Sequence, residues 1–95
     1  MKVELEAQVV SFVRSLAPQP RQTLRRALRQ LEHEEGDIHS LEGALSGFFR
    51  LRVLGYRVIF YYEVSGRRRS IRCVYAASRD IIYEVFAQQI RDLIR

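Results

Sequence analysis

The sequence predicts one α+β domain over residues 1–95, with an antiparallel β-sheet packed by an N-terminal helical hairpin and a C-terminal helix. Three observations predict this fold. Apolar residues recur at helical spacing between Val9 and Leu31, alternate with polar residues between Phe48 and Ala77, and return to helical spacing from Ile82. The predicted order of elements is β-α-α-β-β-β-α.

The first third of the chain is predicted to form a short strand and two helices. Val3-Glu4-Leu5 is the candidate strand, and Ala17-Pro18-Gln19-Pro20 ends the first helix. The second helix is predicted to start near Pro20, because proline suits the first turn of a helix. Five apolar residues of this hairpin are expected to face the sheet: Phe12, Leu16, Leu24, Leu28 and Leu31. Their expected contacts on the strands are Phe49, Leu51, Val58 and Phe60.

Three long strands are predicted in the second half of the chain. Phe48–Leu54 alternates between apolar and arginine side chains, which places the two types on opposite faces. Leu54-Gly55 is a turn signal, and Tyr56–Val64 is rich in β-branched and aromatic residues. The third strand, Ser70–Ala77, follows a polar loop that contains Arg67-Arg68-Arg69.

The last helix is predicted to have Ser78 as its N-cap and Asp80 in its first turn. Its apolar residues at helical spacing are Ile82, Val85, Phe86, Ile90 and Leu93. One face of this helix is therefore expected to pack against the sheet.

Five residues from three segments converge when the predicted strands are paired. A two-residue turn places Arg52 opposite Arg57, whereas a three-residue turn would break this register. Ala77 then lies beside Arg57, and the start of the last helix follows at once. The residues brought together form the predicted arginine cluster: Arg50, Arg52, Arg57, Arg79 and Tyr83. Like charges directly opposed destabilise a sheet, so the cluster predicts a bound anion, with solvated surface arginines as the alternative.

The composition agrees with a polyanionic partner such as nucleic acid. The net charge is +5, and every one of the 16 basic residues except Lys2 is arginine, although a genomic bias toward arginine would also give this count. Cys73 is the only cysteine, which excludes an internal disulfide and a cysteine-based metal site. No apolar stretch is long enough to span a bilayer, and the acidic N-terminus is unlike a signal peptide, so the cytoplasm is the expected location.

Two segments resemble the RelE/ParE superfamily of bacterial toxins. The stretch from Leu41 to Phe60, with its Gly55-Tyr56-Arg57 block, is similar to the family pattern of basic strand residues followed by Gly-Tyr-Arg. Ala77–Tyr83 looks like the family's C-terminal Arg-x-x-x-Tyr element. The resemblance implies the toxin of a type II toxin–antitoxin pair, which in the RelE branch enters the ribosome and cuts mRNA. The implied partners are a cognate antitoxin, the ribosome and mRNA, with no cofactor, metal or membrane.

The resemblance also implies a role for each member of the cluster. Arg50 and Arg52 match the paired basic strand residues, and Arg57 matches the phosphate-holding arginine. Arg79 matches the proposed acid, and Tyr83 the family's tyrosine. RelE itself carries lysines at the positions of Arg50 and Arg52, and arginine effectively cannot lose its proton. The proton acceptor for the attacking 2′-OH is therefore unassigned.

Four other residues have side chains that can act as acids or bases. Glu42 and Glu63 have suitable chemistry, but only Glu63 lies in a strand on the arginine side, where pairing with an arginine is the alternative. His33 and His39 are interpreted as surface residues. Tyr61 and Tyr75 are candidates for stacking on bases, or else half-buried strand aromatics.

Two other functions and one binding surface are also consistent with the sequence. A ParE-like toxin would inhibit DNA gyrase without cleaving RNA, and a non-toxic member would act mainly as its partner's binding module. An apolar strip is expected on the arginine side of the sheet: Ile59, Tyr61, Ile71, Cys73 and Tyr75. An acidic amphipathic antitoxin segment is expected to cover this strip or displace the last helix. Alternatively, the helix seals the strip and the antitoxin binds the helical hairpin.

Overall fold

The computed structural model describes residues 1–93, without the side chains of residues 90, 92 and 93. The predicted apolar positions Ile90 and Leu93 thus lie outside the described side chains. The strands are β1 (Lys2–Leu5), β2 (Asp37–Ser40), β3 (Phe49–Val53), β4 (Tyr56–Ser65) and β5 (Arg68–Ser78). The helices are α1 (Ala7–Ser15), α2 (Pro18–Gln30) and α3 (Ile82–Leu93), with single 3₁₀ turns at Leu31–His33 and Gly43–Leu45. None of the helices within residues 1–93 has the length and apolar character needed to cross a membrane.

The five strands form one sheet in the order β1-β5-β4-β3-β2. Three neighbouring pairs are antiparallel, as predicted, but β1 runs parallel to β5, so the sheet is mixed. Short turns force β3, β4 and β5 to alternate in direction, whereas β1 reaches the sheet edge independently of those turns. The α+β class, the helical hairpin and the C-terminal helix are as predicted.

Strand β2 is an element that the predicted order lacks. Its sequence, Asp37-Ile38-His39-Ser40, has a single apolar residue, so it shows no alternation that would mark a strand. It pairs with β3 at the edge of the sheet, where polar side chains are common. Gly36 leads into it with φ +133°, and a Cβ there would lie 2.8 Å from Leu51 Cδ1, so both backbone and space require glycine.

The helical hairpin covers one face of the sheet, as predicted. Leu24, Leu28 and Leu31 are buried in the same cluster as Leu51, Val58 and Phe60. Phe12, Leu16 and Phe49 pack against this cluster while remaining partly exposed. Helix α2 begins at Pro18, two residues before the predicted start, and still has proline in its first turn.

The opposite face is covered by α3 and by the segment between β2 and β3. Ile59, Ala77, Ile82 and Phe86 form its buried core. The partly buried residues around that core are Leu41, Leu45, Phe48, Val74, Tyr75 and Tyr83. The apolar strip predicted on this face is therefore largely sealed within the chain.

A β-bulge in β5 changes which residues belong to that strip. Ile59 pairs with Tyr75, but Phe60 pairs with Cys73, so Val74 is an extra residue in β5. The side chains before the bulge consequently change face, and Ile71 and Cys73 belong to the core under the helical hairpin. Burial there raises the pKa of the Cys73 thiol to about 12, which makes this cysteine a poor nucleophile.

The junction between β5 and α3 also differs from the prediction. Ser78 is the last residue of β5, and α3 begins only at Ile82, so Ser78 is not the helix N-cap. The strand continues further because the Arg79 amide donates a hydrogen bond to the Gly55 carbonyl at 3.0 Å. Arg79 and Asp80 therefore lie in a turn before the helix.

Candidate active site on the arginine face

The sheet face opposite the helical hairpin carries the strand arginines, and we call it the arginine face. Arg52 stands directly opposite Arg57, and Arg57 stands beside Ala77, in the register that the two-residue turn predicts. Arg50 is opposite Ile59 on the same face. Three arginines from two neighbouring strands are thus brought together at the level of the β3–β4 turn.

Arg57 is the buried member of the cluster, with only 7% of its surface exposed. Its Nη1 donates hydrogen bonds to the carbonyls of Leu54 at 3.2 Å and Tyr56 at 2.8 Å. Leu54 has φ 56°, a left-handed conformation that costs a residue with a side chain about 1–2 kcal/mol. Arg57 therefore stabilises a strained turn, in addition to any role toward a ligand.

Arg52 is paired by a residue of the strand that the sequence did not predict. Its Nε lies 3.0 Å from Asp37 Oδ2, and the other carboxylate oxygen of Asp37 lies 2.9 Å from His39 Nε2. Asp37 and His39 both lie on the side of β2 that belongs to the arginine face, and His39 is directly opposite Arg50. Because Arg52 turns to Asp37 and Arg57 to the turn carbonyls, their proximity does not require a bound anion.

Arg79 and Tyr83 reach the cluster from the C-terminal segment. The Arg79 backbone is tied to the β3–β4 turn through Gly55, while its side chain is 68% exposed and lies 3.6 Å from Asp80. Tyr83 is half-buried in the first turn of α3 and packs on the core that contains Ile59 and Ala77. The predicted residues therefore share one region, with the Arg79 side chain exposed and Tyr83 packed against the core.

Glu63 lies far from this region. It is six residues beyond Arg57 on β4, which corresponds to about 20 Å of strand. Its Oε2 accepts a hydrogen bond from Arg72 Nε at 3.1 Å, and Arg72 also binds Glu4 and Glu6. The hydrogen bonds that Arg72 donates to Glu6 and Glu63 raise the pKa of Arg72, so its guanidinium stays charged. Glu63 is thus paired with an arginine, which is the alternative predicted from the sequence. Glu42 is exposed between β2 and β3.

The aromatic candidates are used in packing. Tyr61 contacts Phe48 edge to face with ring centroids 5.9 Å apart, and Tyr75 lies 6.0 Å from the Phe86 ring. Both contacts tie the sheet to the elements that cover the arginine face. Among residues 1–93, no three His, Cys, Asp or Glu side chains come together in a way that would hold a metal ion.

Solved structures with the same architecture identify the fold. The chain matches the crystal structure of an archaeal RelE–RelB complex from Pyrococcus horikoshii with a TM-score of 0.62 and 28% identity, over 82% of this chain and 93% of that one. The chain has the fold of the RelE/ParE toxins. The family resemblance of the sequence is thereby confirmed.

Two more distant structures share this superfamily fold. The RelBE2 toxin–antitoxin complex from Mycobacterium tuberculosis matches with a TM-score of 0.68 and 16% identity, over 82% of this chain and 96% of that one. A YoeB/ParE toxin from Agrobacterium tumefaciens matches with a TM-score of 0.65 and 14% identity, over 83% and 99% of the two chains. No protein-family model and no curated protein sequence matches the chain.

The hydrogen bonds of Arg57 predict a measurable contribution to stability. Arg57→Leu removes the donors to the two turn carbonyls and should lower the free energy of unfolding by about 1.5–3 kcal/mol, as for hydrogen bonds from charged groups. Arg79→Ala should change it by less than about 0.5 kcal/mol, because that side chain is exposed. Urea unfolding followed by circular dichroism measures both. An Arg57→Leu protein as stable as the Arg79→Ala control would show that the turn does not depend on these hydrogen bonds.

Proposed function

We propose that the protein is the toxin of a type II toxin–antitoxin pair and that it cleaves mRNA on the ribosome without a metal ion. The observation that carries this proposal is the placement of Arg50, Arg52 and Arg57 on one face of a RelE-type sheet, next to Arg79. Such a surface suits a phosphate, because guanidinium groups offer several donors in a fixed plane.

Cleavage of RNA by its own 2′-OH develops negative charge on the oxygens around phosphorus, and the arginines are placed to stabilise it. Arg50 has no hydrogen-bond or ion-pair partner within residues 1–93, so its donors are available. The Arg52–Asp37 pair uses only Nε of Arg52, and its side chains are 56% and 40% exposed. An exposed pair of this kind contributes at most about 1 kcal/mol, so a phosphate can share Arg52 at little cost.

Arg79 is suited to interact with the leaving group, and Tyr83 is suited to stack on a nucleobase of the RNA. The exposed Arg79 guanidinium can donate a hydrogen bond to the departing 5′-oxygen, while its backbone is fixed at the turn. Tyr83 offers a ring for stacking and a hydroxyl for hydrogen bonding at the border of the α3 core. Further arginines lie near the β4–β5 turn, where Arg69 is 4.9 Å above the Tyr62 ring on the helical-hairpin side of the sheet. We assign these outer charges to ribosomal RNA.

The partner that neutralises the toxin is a cognate antitoxin. The Pyrococcus and Mycobacterium neighbours are RelE–RelB and toxin–antitoxin complexes, which supports such a partner for this chain. Ile59 and Ala77 are buried beneath Ile82 and Phe86 of α3, so an antitoxin can reach the apolar part of the arginine face only by displacing this helix. A net acidic, amphipathic segment would then replace the α3 contacts and set carboxylates against the arginines.

Cleavage in a reconstituted translation system tests the activity. The wild-type protein should cut mRNA only while it is being translated, and bacteria expressing it alone should stop growing. Arg50→Ala and Arg79→Ala should each slow cleavage about 10–100-fold, because each removes a charge-assisted contact worth about 1.5–3 kcal/mol. Arg29→Ala is the matched control, since it removes the same charge from α2, behind the opposite face of the sheet.

Two outcomes would contradict the interferase proposal. Growth arrest with intact mRNA and gyrase-dependent DNA breaks would establish a ParE-like activity instead. Normal growth of the expressing cells, with the protein present and folded, would identify a member without toxicity.

Hydrogen–deuterium exchange with the antitoxin tests the displacement of α3. Binding should increase exchange of the α3 amides, because the helix leaves the sheet, and should protect β3 and β4. If α1 and α2 gain protection while α3 stays protected, the antitoxin binds the helical hairpin and the displacement is wrong.

A further inference from the structure

The arginine face carries one histidine that the roles described above do not use. His39 lies on the edge strand β2, directly opposite Arg50 of β3. Its side chain is 58% exposed, and its Nε2 is 2.9 Å from Asp37 Oδ1. The second oxygen of the same carboxylate is 3.0 Å from Arg52 Nε. Asp37 thus lies between the imidazole and Arg52 of the arginine cluster.

The 2.9 Å contact places Nε2 of His39, rather than Nδ1, against the carboxylate. A neutral imidazole that donates its Nε2–H to a carboxylate carries its lone pair on Nδ1. A carboxylate that fixes the tautomer in this way makes the other ring nitrogen available as a proton acceptor, as in catalytic triads. Within residues 1–93, Nδ1 of His39 has no hydrogen-bond or ion-pair partner, and the side chain is 58% exposed.

We propose that His39 is the general base of RNA cleavage and that Asp37 is its positioning residue, an inference that rests on the proposed interferase function. Nδ1 of His39 takes the proton of the 2′-OH as the 2′-oxygen attacks phosphorus. The bond from phosphorus to the 5′-oxygen breaks, and the leaving oxygen takes a proton from water. The products are a 2′,3′-cyclic phosphate and a 5′-hydroxyl, and the imidazolium then returns its proton to solvent.

The chemistry of the neighbouring residues favours this assignment. Arg50, Arg52 and Arg57 effectively never lose a proton and cannot act as bases. Glu63 is about 20 Å away along β4 and is bound to Arg72. Histidine is the side chain whose ordinary pKa lies nearest neutrality, which suits a base working at physiological pH.

A purely structural role for the His39–Asp37 pair gives a different expectation. Both side chains are largely exposed, and β2 is already held to β3 by backbone hydrogen bonds over four residue pairs. An exposed pair adds at most about 1 kcal/mol to stability. Loss of the imidazole should therefore affect the reaction far more than the fold.

Single-turnover cleavage on mRNA-programmed ribosomes tests the proposal. His39→Ala should cleave about 10²–10⁴-fold more slowly than wild type, the usual contribution of a general base, while its binding to ribosomes is unchanged. Added imidazole should restore part of the lost rate. His39→Gln preserves a donor to Asp37 but accepts no proton at neutral pH, so it should be as slow as His39→Ala. His33→Ala is the matched control and should retain full activity, because His33 ends a 3₁₀ turn that is hydrogen-bonded to the chain start beside β1, at the sheet edge opposite β2.

Three results would overturn the proposal. His39→Gln activity within about threefold of wild type would show that only the contact with Asp37 matters. Loss of cleavage that imidazole does not restore would exclude a base at this position. A wild-type protein that binds ribosomes but cuts no mRNA would refute the interferase function itself, and the assignment of His39 with it. The first two results leave the interferase function intact.

Discussion

The hydrogen bonds from Arg57 to the β3–β4 turn are the interaction on which the site depends. Leu54 adopts a left-handed conformation that favours glycine, and Arg57 satisfies its carbonyl and that of Tyr56. A turn of this length fixes Arg52 opposite Arg57 and Arg50 opposite Ile59. A shift of one residue would move both β3 arginines to the face covered by the helical hairpin. The position of every cationic group in the site thus follows from one turn.

The fold could be predicted where side-chain patterns are strong. The alternation in β3, the aromatic β4 and the helical spacing of the leucines correctly indicate which residues lie under the helical hairpin. Three features leave no such pattern. β2 has one apolar residue, the direction of β1 is set by the whole sheet, and the bulge at Val74 inserts a residue into an otherwise regular strand. The bulge alone explains why Ile71 and Cys73 lie on the face opposite to the predicted one.

The sequence predicts where the arginines of the candidate site lie, but not the acidic residue that pairs with them. The turn signal at Leu54-Gly55 predicts the arginine register, because it involves neighbouring residues in the chain. The partner of Arg52 is Asp37, 15 positions away on the unpredicted strand, and His39 lies on that same strand. A prediction that included β2 would have placed Asp37 and His39 on the arginine face. The Gly36 backbone conformation is the physical reason that the chain enters β2 at this position.

A structure of the protein bound to a ribosome with mRNA that carries a 2′-O-methyl group at the cleavage site tests the central claim most directly. The methyl group blocks the attacking oxygen and preserves the complex. We expect the phosphate at that site to lie within hydrogen-bond distance of Arg50 and Arg52, with the modified 2′-oxygen on the side of His39 Nδ1. Binding of the mRNA along the α2 arginines or the β4–β5 turn, with the arginine face unoccupied, would contradict the account.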